Sequence, residues 1–287
     1  MSRLRPRIRG AILRAGAWAA LAVLAAGCSV NGAKSRYLLA EKLWTDGKYA
    51  AAVAEFEKVI QKDPKGKLGL QALYRAGMTQ ALYLFQYEDA VRKLRQFAVQ
   101  TPDGDLAWEA QKTVGEVLFA KTDSHESAIQ HYRVLLTKKP EAAEAPEFLF
   151  RIAKSHFFLW QFDDAIQVFQ DLEKRYPDSP WAERAALEIG VTRFTRGEHS
   201  PGGQGTAAET YQEAMDSYQR FLRKYPKSRL VPEAKFGIAS CLEELDQLDA
   251  AYHQFEALLS TYPSPNVIKI KLTRIRQRQT QKGRSNS

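Results

Sequence analysis

Aromatic, alanine and proline residues recur along this chain in one fixed frame. In each copy a large, usually aromatic residue is followed by alanine three positions later, an apolar or aromatic residue at four and a large residue at seven. These offsets lie on one face of an α-helix. A proline fifteen residues after the first position ends the helix, because proline lacks an N–H and clashes with the preceding turn. The pattern predicts six amphipathic helices, which begin at Tyr49, Tyr87, His125, Phe162, Tyr211 and Leu248.

A second amphipathic stretch precedes each of these six helices and carries a small residue near its middle. The six small residues are Ala40, Gly77, Gly115, Ala153, Gly190 and Ala239. Glycine inside a helix costs up to about 1 kcal/mol relative to alanine. Its recurrence at this position therefore indicates that another helix crosses closely there. The repeating unit is predicted to be a pair of packed helices.

The spacing between copies predicts where the repeats differ. The small residue precedes the next core position by 9 residues in repeats one, four and six and by 10 in repeats two and three. One extra residue is therefore expected in the turns of repeats two and three. In repeat five the distance is 21 residues, and the insertion includes the glycine-rich residues 196–207. We expect residues 196–207 to form a surface loop, either as part of a binding surface or as an inert insertion.

Paired helices at this period resemble the tetratricopeptide repeat (TPR), whose Gly/Ala, Tyr, Ala, Phe and Pro positions match this frame over about residues 33–264. The resemblance implies an all-α fold, a right-handed superhelix of about six TPR helix hairpins across residues 36–265. Its concave face would be lined mainly by the first helices. Residues 266–280 place Ile268, Leu272 and Ile275 at helical spacing, which predicts a capping helix. Residues 281–287 are then expected to be a disordered tail.

The first 28 residues have the features of a secretory targeting sequence. Five arginines precede the apolar run Ala15–Ala26, which is shorter than the roughly twenty residues that span a bilayer and is typical of a secretory signal peptide. The following Ala25-Ala26-Gly27-Cys28 resembles the bacterial lipobox, although alanine replaces the usual leucine. The resemblance implies a signal peptide at 1–27, acylation of Cys28, and residues 28–35 as acylated N-terminus and linker. The alternative is an incidental Cys28 with cleavage near residues 17–19.

By lipoprotein analogy, the residue after the cysteine indicates the membrane. Ser29 stands there instead of the aspartate that favours inner-membrane retention. The resemblance therefore implies a lipid-anchored protein of the outer membrane that faces the periplasm.

Formal net charge is +9, but it is concentrated at the two ends. The five leading arginines and seven cations within residues 266–287 leave the stretch between them at −3. A nearly neutral body argues against nucleic acid as a partner. The basic face of residues 266–280 is either solvated or a contact for a protein or an anionic surface.

Residues that could take part in catalysis or metal binding are scattered along the chain. The five histidines show no metal-ligand spacing, and no phosphate-binding loop, dinucleotide fingerprint or nucleophile elbow occurs. Cys241 follows Ile238 and precedes Leu242 on a predicted helix, so it is interpreted as a buried structural thiol. The acid pairs Asp163-Asp164 and Glu243-Glu244 are interpreted as solvated charge. We expect no enzyme activity, no catalytic residue, no metal and no cofactor.

Aromatic residues exceed what the frame requires in two segments, residues 81–87 and 155–162. The surplus side chains are Tyr83, Phe85, Phe157, Phe158 and Trp160. Exposed, they would suit peptide capture, because aromatic anchors dominate interface hot spots. The favoured interpretation is that they pack between neighbouring repeats in the core.

Tyr-Pro-x-Ser joints at residues 176–179 and 225–228, with a related Tyr-Pro-Ser-Pro at 262–265, are typical of envelope TPR proteins. Residues 214–228 resemble BamD-type lipoproteins of the outer-membrane β-barrel assembly machinery. That resemblance implies a non-catalytic scaffold that contacts barrel-assembly components or unfolded outer-membrane proteins. The family typically has five repeats and carries the joint in its early repeats, unlike this chain.

Two other functions stay open. One is a CpoB-like periplasmic adaptor that coordinates cell-wall synthesis with division, although residues 29–35 leave no room for that family's N-terminal coiled coil. The other is a TPR protein that binds glycan or polysaccharide. Neither the protein partner nor the residues that bind it follow from these patterns.

Overall fold

The computed structural model describes residues 32–102, 104–199 and 206–285. Within these ranges the chain forms helices and turns and no strand. Two compact units are present, with the boundary between Asp123 and Ser124. This boundary lies between the two helices of the expected third hairpin.

The described part of the first unit forms five helices. They are α1 (32–45), α2 (Tyr49–Lys62), α3 (Lys67–Thr79), α4 (Tyr87–Gln100) and α5 (Asp105–Ala120). A π-helical turn, Gln80–Leu84, continues α3. Each helix packs against its neighbours in sequence, most extensively α2 on α3 and α3 on α4.

The second unit contains eight helices in the described ranges. They are α6 (His125–Lys138), α7 (Ala145–Phe158), α8 (Phe162–Arg175), α9 (Pro180–His199), α10 (Ala207–Lys224), α11 (Val231–Glu244), α12 (Leu248–Ala257) and α13 (Pro265–Ser285). Consecutive helices pack on each other here as well. The expected fold class, an all-α stack of TPR-type hairpins, is confirmed.

The repeating frame forms the hydrophobic core. All six frame alanines are fully buried, and the large residues at the seventh position are at most 4% exposed: Phe56, Leu94, Tyr132, Phe169, Tyr218 and Phe255. The alanines let the partner helix approach, and the large side chains fill the space between hairpins. The helix face predicted from the sequence is therefore the buried face.

In the second unit, glycines of two first helices leave room for the Tyr218 ring. A Cβ added to Gly190 of α9 would lie 2.6 Å from the Tyr218 ring, and one added to Gly237 of α11 would lie 2.4 Å from it. Tyr218 of α10 thus lies between two helices, and neither helix has room for a side chain at the position that faces the ring. The small residue expected at close helix crossings is required by this packing.

In the five hairpins whose turns the structure describes, the turn uses a left-handed residue. Positive φ values occur at Gly47, Phe85, Asp123, Trp160 and Asp246, each two residues before the next helix begins. The following N–H returns to the first helix, as in Lys48 N to Leu43 O (2.8 Å). This is the Schellman type of helix end. Glycine suits it, whereas a residue with a side chain costs about 1–2 kcal/mol there.

The extra residue expected in the turn of repeat two is in the preceding helix instead. The bond that closes this turn, Gln86 N to Gln80 O (3.0 Å), is one residue longer than its equivalents. The surplus residue is absorbed by the π-helical turn Gln80–Leu84. In repeat three the extra residue does lie in the turn, because four residues (121–124) separate α5 from α6, compared with three in repeats one, four and six. The left-handed residue precedes the second helix by two positions in both repeats.

The serines of the Tyr-Pro-x-Ser joints accept backbone hydrogen bonds at the start of α9 and just before the start of α11. Ser179 Oγ accepts a hydrogen bond from the N–H of Trp181 (3.1 Å), and Ser228 Oγ accepts one from the N–H of Leu230 (2.9 Å). Side-chain oxygens satisfy backbone donors at a helix start in this way. The joint is therefore explained by local structure.

Three predicted boundaries are wrong. Helix α1 includes residues 32–35 of the expected linker. Residues 196–199 belong to α9, and α10 starts at Ala207, where Thr206 and Glu209 form a capping box. The inner part of that insertion, 200–205, lies outside the described residues. The C-terminal helix continues to Ser285 beyond the expected end at 280, because no proline interrupts it and Lys282 pairs with Asp246.

Candidate binding groove of the first unit

First helices α1, α3 and α5 of the first unit border a groove of about 790 Å³. Its apolar lining comes from all three helices and from α4. The residues concerned are Tyr37, Leu70, Tyr74, Phe97, Leu106 and Ala107. This volume lies within the range of ligand pockets, about 300–1,000 Å³. The groove is therefore a candidate binding surface of this unit.

Aromatic contacts hold the base of the groove. The Tyr37 ring packs edge-on against Phe56 (5.5 Å between centroids), and Tyr74 packs against Phe97 (5.1 Å). Burial raises the pKa of both tyrosines, and the carboxylates of Glu41 and Glu109 add to the effect at Tyr37 and Tyr74 respectively. Both phenols therefore stay protonated at neutral pH and can donate hydrogen bonds.

A paired charge lies beside these rings. Arg75 donates two hydrogen bonds to Glu41, from Nε to Oε1 and from Nη2 to Oε2, both 2.8 Å. Its guanidinium also lies 4.4 Å from the centre of the Trp44 ring. The hydrogen bond to Glu41 raises the pKa of Arg75. Because this arginine is held by α1, the groove presents little uncompensated charge at this point.

The rim of the groove is polar and one apolar side chain projects from it. Lys67, Gln71 and Asp105 line the rim, whereas Leu106 is 52% exposed. An apolar base with separated donors and acceptors suits an extended or helical peptide. It provides no nucleophile held by a base, so this arrangement fits binding better than catalysis.

Sequence patterns did not reveal this groove. Tyr37, Tyr74 and Leu106 are spaced more than thirty residues apart, and none belongs to the repeating frame. The usable signal is that first helices of a TPR face the concave side. If this rule is applied to α1, α3 and α5, it indicates the large side chains on the helix faces that do not pack against the frame helices.

Most of the surplus aromatic side chains are exposed, so the interpretation of a core role is wrong for them. Exposed fractions are 42% for Tyr83, 67% for Phe85, 46% for Phe158 and 58% for Trp160. Phe85 and Trp160 occupy left-handed turn positions, which direct them away from the helix interface. Phe157 is partly buried against the core of its hairpin.

One of the two acid pairs also differs from expectation. Asp163 is exposed and pairs with Arg196 (2.7 Å). Glu243, in contrast, is fully buried because α13 covers it and supplies cations. Lys271 Nζ lies 2.8 Å from Oε2 and Arg274 Nε lies 2.7 Å from Oε1, the latter an ion pair without hydrogen-bond geometry.

That cluster accounts for part of the basic C-terminal helix. Arg278 and Lys282 of α13 both pair with Asp246, and Arg274 reaches Glu244 (3.3 Å). These cations hold α13 onto the end of α11 and are not simply solvated.

The remaining polar candidates have structural surroundings. Cys241 is a free, buried thiol, as expected, and burial raises its pKa to about 12. His156 is buried, with Nδ1 2.7 Å from Gln161 Oε1. The amide oxygen only accepts, so this nitrogen donates. In the described ranges no three histidine, cysteine or acidic side chains gather as metal ligands.

The predicted lipidation site, Cys28, lies outside the described residues, as does the predicted signal peptide. Among the helices that the structure does describe, none has the length and apolar character needed to cross a bilayer.

A family model described as "Tetratricopeptide repeat" matches residues 147–179, 207–228 and 233–265, all in the second unit. No curated protein sequence matches the chain.

Similar solved structures are 16% identical or close to it. A structure of Naa15/Naa10 bound to HypK-THB matches over 85% of this chain with a TM-score of 0.59. This chain spans about a third (34%) of the matched chain's length. PilW, a type IV pilus biogenesis factor, matches over 85% of this chain and 97% of its own, at 16% identity and a TM-score of 0.49. YrrB, a TPR protein with an unusual peptide-binding site, covers 70% of this chain and 90% of its own, at 16% identity and 0.46.

At these identities the likeness concerns the fold alone. The three matched segments are tetratricopeptide repeats in the second unit, and with the buried frame of the hairpins they support a tetratricopeptide-repeat fold for the chain.

Proposed function

We propose that this protein is a lipid-anchored TPR scaffold of the bacterial outer membrane that helps to assemble outer-membrane proteins. The groove between α1, α3 and α5 carries the proposal, because it offers an accessible apolar surface to another polypeptide. The body of the chain stays in the periplasm, tethered through Cys28. The protein positions its partners and carries out no reaction on them.

The groove favours a peptide with apolar side chains over a charged ligand. Tyr37, Tyr74 and Leu106 provide the apolar area, and the charge of Arg75 is already paired with Glu41. A segment with aromatic or aliphatic residues would bury this area, at about 25 cal/mol for each Å² removed from water. Unfolded outer-membrane proteins and the periplasmic domains of barrel-assembly components both contain such segments.

The location rests on the lipobox-like Ala25-Ala26-Gly27-Cys28 and on Ser29. A single acyl chain gives only reversible membrane binding, whereas two or more anchor a protein stably. Labelling cells with an alkyne fatty acid tests this directly. We expect label on the wild-type protein and none on a Cys28→Ala variant, with Cys241→Ala as the matched control that keeps its label.

Depletion of the protein tests the assembly role. Several unrelated outer-membrane barrels should decrease together, while periplasmic proteins keep their levels. Normal barrel levels with defective septation would assign the protein to the cell-wall adaptor class instead. Co-sedimentation of the purified protein with isolated sacculi, again with normal barrels, would favour glycan binding.

A further inference from the structure

Two hairpin turns hold an aromatic residue in a costly backbone conformation, and packing covers less than half of each side chain. Phe85 has φ 56° and Trp160 has φ 61°, a backbone conformation that favours glycine. Their side chains are 67% and 58% exposed. Each therefore holds an aromatic ring in water on a strained residue.

Equivalent turns show that the fold does not require this choice. Gly47, Asp123 and Asp246 occupy the same position with positive φ. Glycine adopts it without a steric penalty, and aspartate tolerates it through its short polar side chain. Aromatic residues at this position thus need a reason outside the hairpin, and strained, exposed residues concentrate at functional sites.

Further apolar side chains extend both turns. Leu82 (56% exposed) and Tyr83 (42%) precede Phe85 on the π-helical turn, and Phe158 (46%) precedes Trp160. In the first unit the Tyr83 ring stacks on Tyr49 with 4.3 Å between centroids. In the second unit the Trp160 ring contacts His199 at 4.2 Å. Each turn therefore presents a small, supported aromatic surface.

Acidic residues follow both aromatic turns at the same spacing. Residues 82–89 contain Glu88 and Asp89, residues 158–164 contain Asp163 and Asp164, and neither segment contains a cation. Asp89 pairs with Arg92 and Asp163 with Arg196. Glu88 and Asp164 are exposed, and no ion pair involves either of them in the described part of the chain.

We propose that the turns at Phe85 and Trp160 are docking points for a cationic segment of a partner protein, one in which arginine or lysine alternates with apolar residues. A guanidinium or ammonium group over an exposed ring gains cation–π attraction, and the adjacent carboxylate adds an ion pair. Apolar neighbours in the partner would cover Leu82 and Tyr83. Phe158 is already contacted by this chain, with Lys154 Nζ 5.2 Å from its ring centre. An anionic membrane is disfavoured, because lipid headgroups select a surplus of lysine and arginine.

These turns use residues other than those of the groove in the first unit, so the inference does not depend on the proposed outer-membrane role. It concerns the chemistry of a partner, whichever envelope process the protein serves.

The test measures binding of a short fluorescein-labelled peptide in which leucine alternates with arginine, using fluorescence anisotropy and the purified full-length protein. A peptide with glutamate in place of arginine is the control probe. We expect saturable binding of the arginine peptide alone. The double variant Phe85→Gly/Trp160→Gly should weaken it by about tenfold. Asp123→Gly, at an equivalent turn, should leave it unchanged.

Thermal unfolding separates loss of the surface from loss of the fold. Both glycine substitutions relieve a left-handed side chain, so the melting temperature should stay the same or rise. A second variant, Phe85→Asn/Trp160→Asn, keeps a residue that tolerates positive φ and should weaken binding equally.

Three results would overturn the proposal. They are equal affinity of the wild type and both double variants, equal binding of the two peptides, and no binding by the wild type. Binding that occurs only to vesicles of anionic phospholipid, and is lost in the glycine variant, would also overturn it and assign the turns to a membrane.

Discussion

The groove of the first unit and the C-terminal cap of the second, which is helix α13, both combine ion pairs with apolar side chains. The groove is open, whereas the cap is closed. In the groove, Arg75 and Glu41 form a pair whose side chains are 31% and 33% exposed, beside rings that remain accessible. At the cap, Glu243 is fully buried under Lys271 and Arg274, while Ile268 and Ile275 of α13 are also fully buried. One region is left open to a partner, and the other is closed by the chain itself.

This difference shows how a repeat protein separates stability from binding. A stack of hairpins ends on an apolar face that must be covered, and α13 covers it with aliphatic side chains and cations. The side of the first helices needs no such cover, because its apolar area is modest and polar groups surround it. At the C-terminal end the buried charge accompanies closure by α13, whereas the groove keeps partly exposed rings that a partner could contact.

The largest expected effect breaks the cap. Glu243→Ala removes a buried carboxylate and leaves the cations of α13 without their partner, so the free energy of unfolding of the second unit should fall by about 3 kcal/mol. Urea unfolding monitored by circular dichroism measures it. Glu244→Ala is the matched control, because its carboxylate is 31% exposed and pairs at 3.3 Å, and it should cost under about 1 kcal/mol. Equal losses for the two variants would contradict this account of the cap.

A second substitution tests whether the hairpins of the second unit depend on close approach of their helices. Gly237→Ala places a methyl group 2.4 Å from the Tyr218 ring and should destabilise the protein by about 2 kcal/mol through overpacking. Gly283→Ala in α13 meets no atom within 4 Å. Alanine is the better helix former, so this control should be neutral or stabilising by up to about 1 kcal/mol. A neutral Gly237→Ala would show that the hairpins are packed more loosely than described.

The stability of the protein at alkaline pH tests the burial of the Cys241 thiol, which lies on α11. Burial raises the pKa of the Cys241 thiol to about 12, whereas an unfolded cysteine titrates near 8.5. The folded state therefore favours the neutral thiol. This contribution is fully present below about pH 8.5 and is lost as pH rises towards 12.

The free energy of unfolding should accordingly fall by about 1.6 kcal/mol between pH 8.5 and 10, and by less in the Cys241→Ala variant. Some pH dependence should persist in that variant, since burial also raises the pKa of Tyr218 well above its usual value. A native thiol that reacts with iodoacetamide as fast as the unfolded chain would contradict the burial of Cys241.

The smallest stability effect is expected in the groove. Leu106→Asp changes a half-exposed side chain, so the free energy of unfolding should change by no more than about 0.5 kcal/mol. Binding to a partner should nevertheless be lost, because a carboxylate in an apolar contact is costly to desolvate. Val99→Asp is the control, since Val99 is 77% exposed on α4. Co-purification of barrel-assembly components with each variant provides the measurement.

Much of the fold follows from the sequence because helical period, frame alanines and helix-ending prolines act locally. The six frame helices begin at the predicted residues, apart from the fifth, where the Thr206 capping box starts α10 four residues before Tyr211. The turn positions at Phe85 and Trp160 were not predictable in this way. A left-handed residue leaves no composition signal unless it is glycine, asparagine or aspartate.

The groove and the cap were harder to foresee for a different reason. Tyr37, Tyr74 and Leu106 come together only once three hairpins are stacked. Glu243 looks like surface charge until α13 folds over it, and its cations are about thirty residues further along the chain. Sequence period predicts which face of a helix is buried, but not which distant side chain covers a particular residue.

The central claim is that the groove of the first unit holds a segment of another envelope protein. A photo-reactive phenylalanine analogue placed at Leu106 in living cells tests it most directly, with the same analogue at Val99 as the control. We predict that irradiation links Leu106, but not Val99, to an outer-membrane barrel protein or a component of its assembly machinery, as identified by mass spectrometry. The same products at both positions, or none at Leu106, would contradict the account.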